Sequence, residues 1–323
     1  MPQTDRPRKA RSVAANRRSV LKGLWCAAAG ALAGPAMSRA NAATVAHRFN
    51  LGAMKLTVLS DGSFTMPFSF LLPSADRREV SALLASRNLG TEFVEVPTNV
   101  VVVENGTDTM LIDAGAGGHF MPTLGKLPDR LAEAGVAREA ITKIIFTHAH
   151  ADHLWGVIDE FDEANYFPNA TYLIGSVEWD FWINRETAER IPEGFRGMAA
   201  GSRRRLKIIE SRVQRRKAGD ELAPGVTYID TAGHTPGHMC VLLVSGQDRL
   251  MLSGDALNHA IISFEKPMWW WGSDLEPDKA AATRQRLLDM LATDRIGLLA
   301  YHIPYPGKGR VERKNNAYRF VMG

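Results

Sequence analysis

The chain reads as an α/β protein: a four-layer αβ/βα sandwich of two mixed β-sheets packed face to face, with helices on the outer faces. Three observations predict this. Short runs rich in Val, Ile, Leu and aromatic residues alternate with segments of helical periodicity. Many of those runs stand close enough in sequence to pair as hairpins, which makes the sheets mixed rather than wholly parallel. The histidines and aspartates best suited to chemistry fall just after such runs, where strands end and loops can converge on one crevice. With 323 residues, the chain is long enough to bury a full core.

Taken in order, the strand-like runs are Leu56–Leu59, Asn99–Val103, Met110–Ile112, Ile144–Phe146, Thr171–Ile174, Val226–Ile229, Cys240–Val244, Leu250–Leu252 and Gly297–Ala300. Helical patterns occupy Asp76–Ser86, Leu124–Ala134, Val177–Arg185 and Asp278–Leu291, the last preceded by Pro277, which suits a first helical position. The basic stretch Arg203–Lys217 reads as a solvated helix face or a surface excursion. There is no low-complexity segment and no short-period repeat.

The first 42 residues stand apart from this pattern. A basic opening leads to Asn16-Arg17-Arg18-Ser19-Val20-Leu21-Lys22, then to an apolar stretch from Leu24 to Met37, then to Ala40-Asn41-Ala42 in the small-x-small form of a cleavage site. This resembles a twin-arginine export signal, which implies a leader over residues 1–42, a domain over 43–323, the twin-arginine export machinery as a partner, and a periplasmic or secreted destination. No apolar run reaches the ~20 residues of a membrane span, so no stable membrane anchor is expected. Bulky Trp25 before Cys26 argues against a lipoprotein site. The leader holds eight of the 39 Lys/Arg and one of the 35 Asp/Glu; without it 31 and 34 remain, a net charge of −3. The basic charge therefore belongs to the leader and does not point to nucleic acid. Cys240 is left alone, so the domain is expected to have no internal disulfide.

The densest chemistry lies in His148-Ala149-His150-Ala151-Asp152-His153, which follows the apolar run Lys143–Thr147. Three imidazoles and a carboxylate in six positions, where a strand gives way to a helix, suit divalent metal ions such as Zn²⁺. Three further candidates also follow strand-like runs. His234 lies in Gly233-His234-Thr235-Pro236-Gly237-His238, Asp255 in Ser253-Gly254-Asp255, and His302 after Gly297–Tyr301. His238, Asp61 and Asp113 read as turn-stabilising or orienting groups. His119 and His259 are compatible with either a pocket or ordinary packing. In Met268-Trp269-Trp270-Trp271 the three indoles cannot share one face of a strand, so at least one packs while another lines a pocket or an oligomer interface; a homodimer is compatible with this.

His148-x-His150-x-Asp152-His153 followed in order by His234, Asp255 and His302 resembles the metallo-β-lactamase-fold hydrolases. Asp61-Gly62 and Leu111-Ile112-Asp113-Ala114-Gly115 match early motifs of that superfamily, and the resemblance spans roughly Leu51 to Phe320. Within it the chain is most similar to the exported methyl parathion hydrolase group. The supporting segments are Leu59–Gly62, Pro122–Gly125, Phe167–Ala170, Asp180–Trp182, Gly233–His238 and Tyr318–Val321. The resemblance implies two divalent ions, with His148, His150 and His234 on one, Asp152, His153 and His302 on the other, and Asp255 bridging. It also implies a substrate pocket walled by Phe120, Trp182 and Phe195, with Met66 nearby. Two features depart from the family pattern: Trp155 stands where a glycine is usual after Asp-His-x, and Asn258 and His259 follow Asp255 where that group is more apolar.

The expected function is hydrolysis of neutral, fairly apolar small molecules by a bridging hydroxide, with Asp152 and Asp255 as catalytic residues. A lactone or carboxylic ester bond is favoured and a phosphotriester is the related possibility. An iron-dependent redox member of the superfamily and a metal-dependent nuclease are the alternatives; the negative charge of the domain disfavours the nuclease. A closed structural zinc site is disfavoured by the absence of cysteine ligands.

Overall fold

The strand Phe93–Glu104 carries an unbroken apolar run, Val100–Val103, that alternates between two cores. Val101 and Val103 face one buried cluster, while Val100 and Val102 face another. A strand buried on both faces is the middle of a layered fold, and the computed structural model, which describes residues 46–323, has that architecture. The leader expected over residues 1–42 lies outside the described residues.

One seven-stranded sheet has the order β1 (His47–Leu51), β2 (Met54–Pro67), β3 (Phe93–Glu104), β4 (Thr109–Ile112), β5 (Lys143–Ile145), β8 (Thr171–Gly175) and β9 (Val213–Arg216). Its first four strands form an antiparallel meander and its last four run parallel. Between them a small hairpin pairs β6 (Ile158–Asp159) with β7 (Ala164–Asn165). The other seven-stranded sheet follows chain order: β10 (Glu221–Ala223), β11 (Val226–Asp230), β12 (Met239–Ser245), β13 (Asp248–Leu252), β14 (Gly297–Leu299), β15 (Lys308–Lys314) and β16 (Ala317–Met322). Only β13 and β14 are parallel there, joined by the helix Pro277–Thr293.

Four layers follow from which side chains share a core. Leu56, Val58, Val101 and Ile145 of the first sheet pack with Tyr228, Val241, Leu250 and Leu299 of the second. On the outside, Val100, Leu111 and Ile144 meet Leu127 and Leu131 of the helix Leu127–Glu133 and Leu206 and Ile209 of the helix Arg196–Ile209. On the far side Cys240, Met251 and Leu298 meet Leu287, Leu288 and Leu291 of the helix Pro277–Thr293. The expected α/β sandwich of two mixed sheets is therefore the observed fold.

Several elements differ from the sequence reading, each for a physical reason. β2 is far longer than Leu56–Leu59, because a bulge between Ser60 and Gly62 lets it bend and continue along β3. β15 shows no apolar run, with Val311 its one buried residue, and the apolar run of β16 is only Phe320–Met322, at the end of the chain. The basic stretch Arg203–Lys217 is not uniformly a solvated face. It begins in the helix Arg196–Ile209, whose Ala199, Ser202, Arg205, Leu206 and Ile209 recur at helical spacing on the buried side. Arg205 is buried, pairs with Glu160 and stacks its guanidinium 4.0 Å over the Trp155 ring. The tryptophans stand outside any strand. Trp271 is buried, Trp270 is exposed, and Trp269 stands beside Lys266.

Candidate metal centre

β5, β11, β13 and β14 all end at one place, and the loops after them bring together every histidine and aspartate that the sequence nominated as a metal ligand. The loop after β5 carries His148 and His150, and the short helix Ala151–Leu154 that follows carries Asp152 and His153. His234 comes from the loop after β11, Asp255 from the turn Gly254–Ala256 after β13, and His302 from the segment after β14. That turn is tight enough to require glycine at 254. Its φ is +47°, and a Cβ there would stand 2.8 Å from both His238 Nε2 and Thr147 Oγ1.

The donors form two buried groups. His148, His150, His234 and Asp255 make one; Asp152, His153 and His302 make the other. Asp255 reaches both. Its Oδ2 lies 3.2 Å from His234 Nε2 and 3.9 Å from His148 Nε2, while its Oδ1 lies 2.9 Å from His153 Nε2 and 3.2 Å from His302 Nε2. In the second group Asp152 Oδ2 stands 3.3 Å from His302 Nε2 and 3.7 Å from His153 Nε2. Two donors bound at ~2.0–2.1 Å to one tetrahedral ion stand roughly 3.3 Å apart, so these separations match ligands that share an ion.

The remaining hydrogen bonds test that fit. The Nδ1 atoms of His153, His234 and His302 donate outward, to Asp113 Oδ2 at 2.8 Å, Asp274 Oδ1 at 3.0 Å and the Pro97 carbonyl at 2.8 Å. His148 Nδ1 is 3.0 Å from Thr147 Oγ1, whose own hydrogen goes to Asp113. Each of these rings thus has its Nε2 lone pair free to face inward, as a ligand needs. His150 is turned the other way, with Nδ1 lying 2.9 Å from His234 Nε2. His148 Nε2, His153 Nε2 and Asp255 Oδ1 are buried with no hydrogen-bond partner. Buried polar atoms are rarely left so, and a pair of divalent cations would satisfy all three.

Charge is displaced in the same sense. Burial works against charging His302 and His234, but Asp255 and Asp152 push His302 up to about 10, and Asp255 and Asp274 push His234 up to about 9. Burial likewise opposes the Asp255 charge, yet His302, His153 and His234 hold its carboxyl well below the usual range. Burial and the neighbouring imidazoles keep His148 and His150 well below the ordinary value.

Other residues hold the loops. His238 accepts the Asp255 N–H on Nε2 at 3.1 Å and bonds Thr231 Oγ1 through Nδ1 at 2.8 Å, so it orients the turn rather than joining either group. Asp61 sits in the β2 bulge and accepts from Ala116, Gly125 and Leu127 N–H. Asp113 accepts from the Thr147 N–H at 2.7 Å as well as from His153. Glu178 and Asp274 were missed from sequence. Glu178 is buried on the helix Ser176–Ile183 and accepts from Ala149 N–H and Trp182 Nε1 on one oxygen, Thr235 Oγ1 and Gly237 N–H on the other. Asp274 also binds Arg284. Neither lies in a histidine-rich motif, so nothing local in the sequence marked them.

A cavity of about 220 Å³ opens onto the two groups, with His150, Asp152, Asp255 and His302 along one side and mostly apolar side chains around the rest. Met66, Phe120 and Phe195 line it as expected. Trp182 does not. It is buried behind His150, its ring 5.5 Å from that imidazole and its Nε1 bonded to Glu178, because the helix Ser176–Ile183 lies on the outer face of the sheet. Trp155, the departure at the usual glycine position, packs edge-on against Phe120 at 5.8 Å and closely against Gly201, where a Cβ would come within 2.3 Å of the indole. Trp271, Asn258 and His259 also line the cavity, whereas His119 is solvent-exposed beside Glu160.

Residues 94–301 match the family model described as the metallo-beta-lactamase superfamily. The chain belongs to that superfamily. It is 28% identical over 160 residues to the uncharacterized protein YobT of Bacillus subtilis (strain 168), an alignment covering 50% of this chain and 62%, under two thirds, of YobT. It is 24% identical over 240 residues to an N-acyl homoserine lactonase of Bacillus cereus, covering 68% of this chain and 85% of the relative. Among solved structures, AidC, a dizinc quorum-quenching lactonase in complex with a product, superposes with a TM-score of 0.82 at 26% identity, over 86% of this chain and 97% of that one. This chain thus carries the fold of the superfamily's hydrolases together with the two buried His/Asp groups that a metal-dependent hydrolase of that fold uses.

Proposed function

We propose that this protein is a dinuclear metal-dependent hydrolase that opens lactones or cleaves carboxylic esters bearing an apolar acyl portion. The observation that carries the reading is the pair of buried donor groups sharing Asp255 at one side of an apolar cavity. His148, His150 and His234 would hold one ion, Asp152, His153 and His302 the other, and Asp255 both. The imidazole and carboxylate donor set and the dizinc lactonase relative support zinc. Bound there, two divalent ions supply an activated water and polarise the carbonyl oxygen of the substrate.

The protein's own groups do the rest. The apolar wall of Phe64, Met66, Phe120 and Phe195 takes up the acyl chain and excludes bulk water, which strengthens every polar interaction at the scissile bond. Asp152 lines the cavity 3.3 Å from His302 and is the group placed to carry a proton to the departing alkoxide. Asp255 fixes the spacing of the two groups. A neutral phosphotriester is the second reading, favoured by the same uncharged, apolar wall.

Turnover of zinc-loaded protein on acyl lactones, aryl esters and methyl parathion tests the reading, with lactones expected to be the best substrates. Inertness toward the whole panel refutes it, and iron in the purified protein with oxygen consumption would replace it by a redox function. We further propose that residues 1–42 act as a twin-arginine leader. Replacing Arg17 and Arg18 with Lys should retain the full-length chain in the cytoplasm of a bacterial host.

A further inference from the structure

The segment after Asp255 places a histidine in the apolar cavity that neither donor group uses. His259 is buried, lines the cavity, and accepts two backbone N–H groups on one ring nitrogen: Ile261 and Ile262 donate to Nδ1, both at 3.1 Å. A nitrogen that accepts two hydrogen bonds carries no hydrogen, so the neutral ring must bear its proton on Nε2. That Nε2–H bonds no protein group among the described residues. Burial favours the uncharged ring, holding His259 down to about 4, so the same tautomer persists at neutral pH. The ring also meets Phe68 edge-on at 6.1 Å, which limits its rotation. The result is a fixed, neutral hydrogen-bond donor on an otherwise largely apolar wall, four residues along the chain from Asp255.

Resting on the lactone reading above, we infer that His259 is a specificity-determining residue whose Nε2–H receives a second carbonyl of the substrate, remote from the bond that is cut. A neutral donor with no partner in a buried cavity selects a neutral acceptor, and it discriminates against a ligand that fills the same space without one. An N-acylated amino lactone has such an acceptor in its amide carbonyl. A plain alkyl lactone of equal length does not. Asn258, which lines the same cavity and whose backbone N–H is held by Ser263 Oγ, adds a polar side chain beside it. The His259 N–H is also taken by Ser263 Oγ at 3.1 Å, so backbone and side chain of this residue are both fixed within the turn.

The test compares kcat/KM of the zinc-loaded enzyme on an N-acyl amino lactone and on an alkyl lactone of matched length, for wild type and for His259→Asn. Asparagine keeps an acceptor near the Nδ1 position for the Ile261 and Ile262 N–H groups, while its amide nitrogen, one atom shorter in reach than Nε2, withdraws the donor from the point that the ring N–H occupies. The wild-type ratio should favour the amide substrate by about tenfold, and His259→Asn should remove most of that preference, chiefly through KM, as expected for loss of one hydrogen bond in a buried site. An unchanged ratio in the variant overturns the assignment while leaving the lactonase reading intact. Should the variant fail to fold, a wild-type ratio near one overturns it equally. Turnover of neither lactone refutes the lactonase reading, and the assignment falls with it.

Discussion

The two donor groups meet at Asp255, yet they are built by different means. The second group is compact in sequence. Asp152 and His153 are neighbours on one helical turn, and only His302 comes from elsewhere. Its support is packed and rigid: Tyr301 stacks on His153 at 3.9 Å and donates its hydroxyl to the Asp152 carbonyl at 2.7 Å, with Asp113 behind. Like the second, whose His302 follows β14, the first group spans the sandwich, with His148 and His150 after β5 of one sheet and His234 after β11 of the other. It is held by buried carboxylates outside the cluster. Glu178 ties the loop of His148 and His150, through Ala149, to the loop of His234, through Thr235 and Gly237. Asp274 then fixes the His234 ring and is itself fixed by Arg284. One group gets its geometry from local chain and packing, the other from hydrogen-bonded clamps between loops.

This contrast makes the shared residue the most damaging to lose. Asp255→Ala should abolish stoichiometric uptake at both groups and lower kcat/KM on the order of 10³-fold or more. Metal analysis showing two tightly held ions in that variant would refute the shared role. Next in size come the outer carboxylates, whose loss typically costs about 10–100-fold in metal affinity. Asp274→Asn should weaken one ion only, leaving a protein that retains a single equivalent under chelator competition. Asp113→Asn is the harder trial. Asp113 supports His153 but also accepts from the Thr147 N–H, immediately before His148. If both ions weaken equally there, the groups share a back wall and the contrast is blunted. Glu178→Gln should act more mildly, about tenfold on the first group alone, because Gln keeps one acceptor oxygen but turns an N–H toward either Ala149 or Gly237. Equal loss at both groups would break the comparison.

The same contrast explains what could be read from the sequence. Four ligands, two from each group, were legible because they are packed into one motif, and the β5 run before it is apolar enough to be a buried strand. His234, Asp255 and His302 were legible because each follows a short apolar run that became β11, β13 or β14. The clamps were not. Glu178 is one of two carboxylates in the helix Ser176–Ile183, and the loop residues it ties together are 29 to 59 residues away. Trp182 was misassigned for the same reason: facing His150 and lining the cavity are different things, and only the packing of its helix separates them. β15 escaped notice because Val311 is its one apolar side chain among Lys, Arg and Glu, and β16 because it is a short edge strand whose apolar residues are interrupted by Arg319.

The smallest effect is the response of the metal-free protein to alkali. His302, at about 10, and His234, at about 9, lie above their unfolded value near 6.5. A raised imidazole stabilises the fold fully below that unfolded value and loses the contribution as pH rises through the folded one. The metal-free protein should therefore become less stable between about pH 7 and pH 10. Bound ions need the same nitrogens without protons, so the loaded protein should not show this loss, and ion uptake at neutral pH should release protons. The loss should also be unequal between the groups. Both imidazoles of the second are raised, since the carboxylates around His153 outweigh its burial, whereas in the first His148 and His150 are lowered and only His234 is raised. Denaturant midpoints at the two pH values, measured on chelator-treated wild type, His302→Asn and His234→Asn, should show the alkaline loss reduced more by His302→Asn. The reverse order would mean that the first group, clamped from outside, also stores the larger share of the charge.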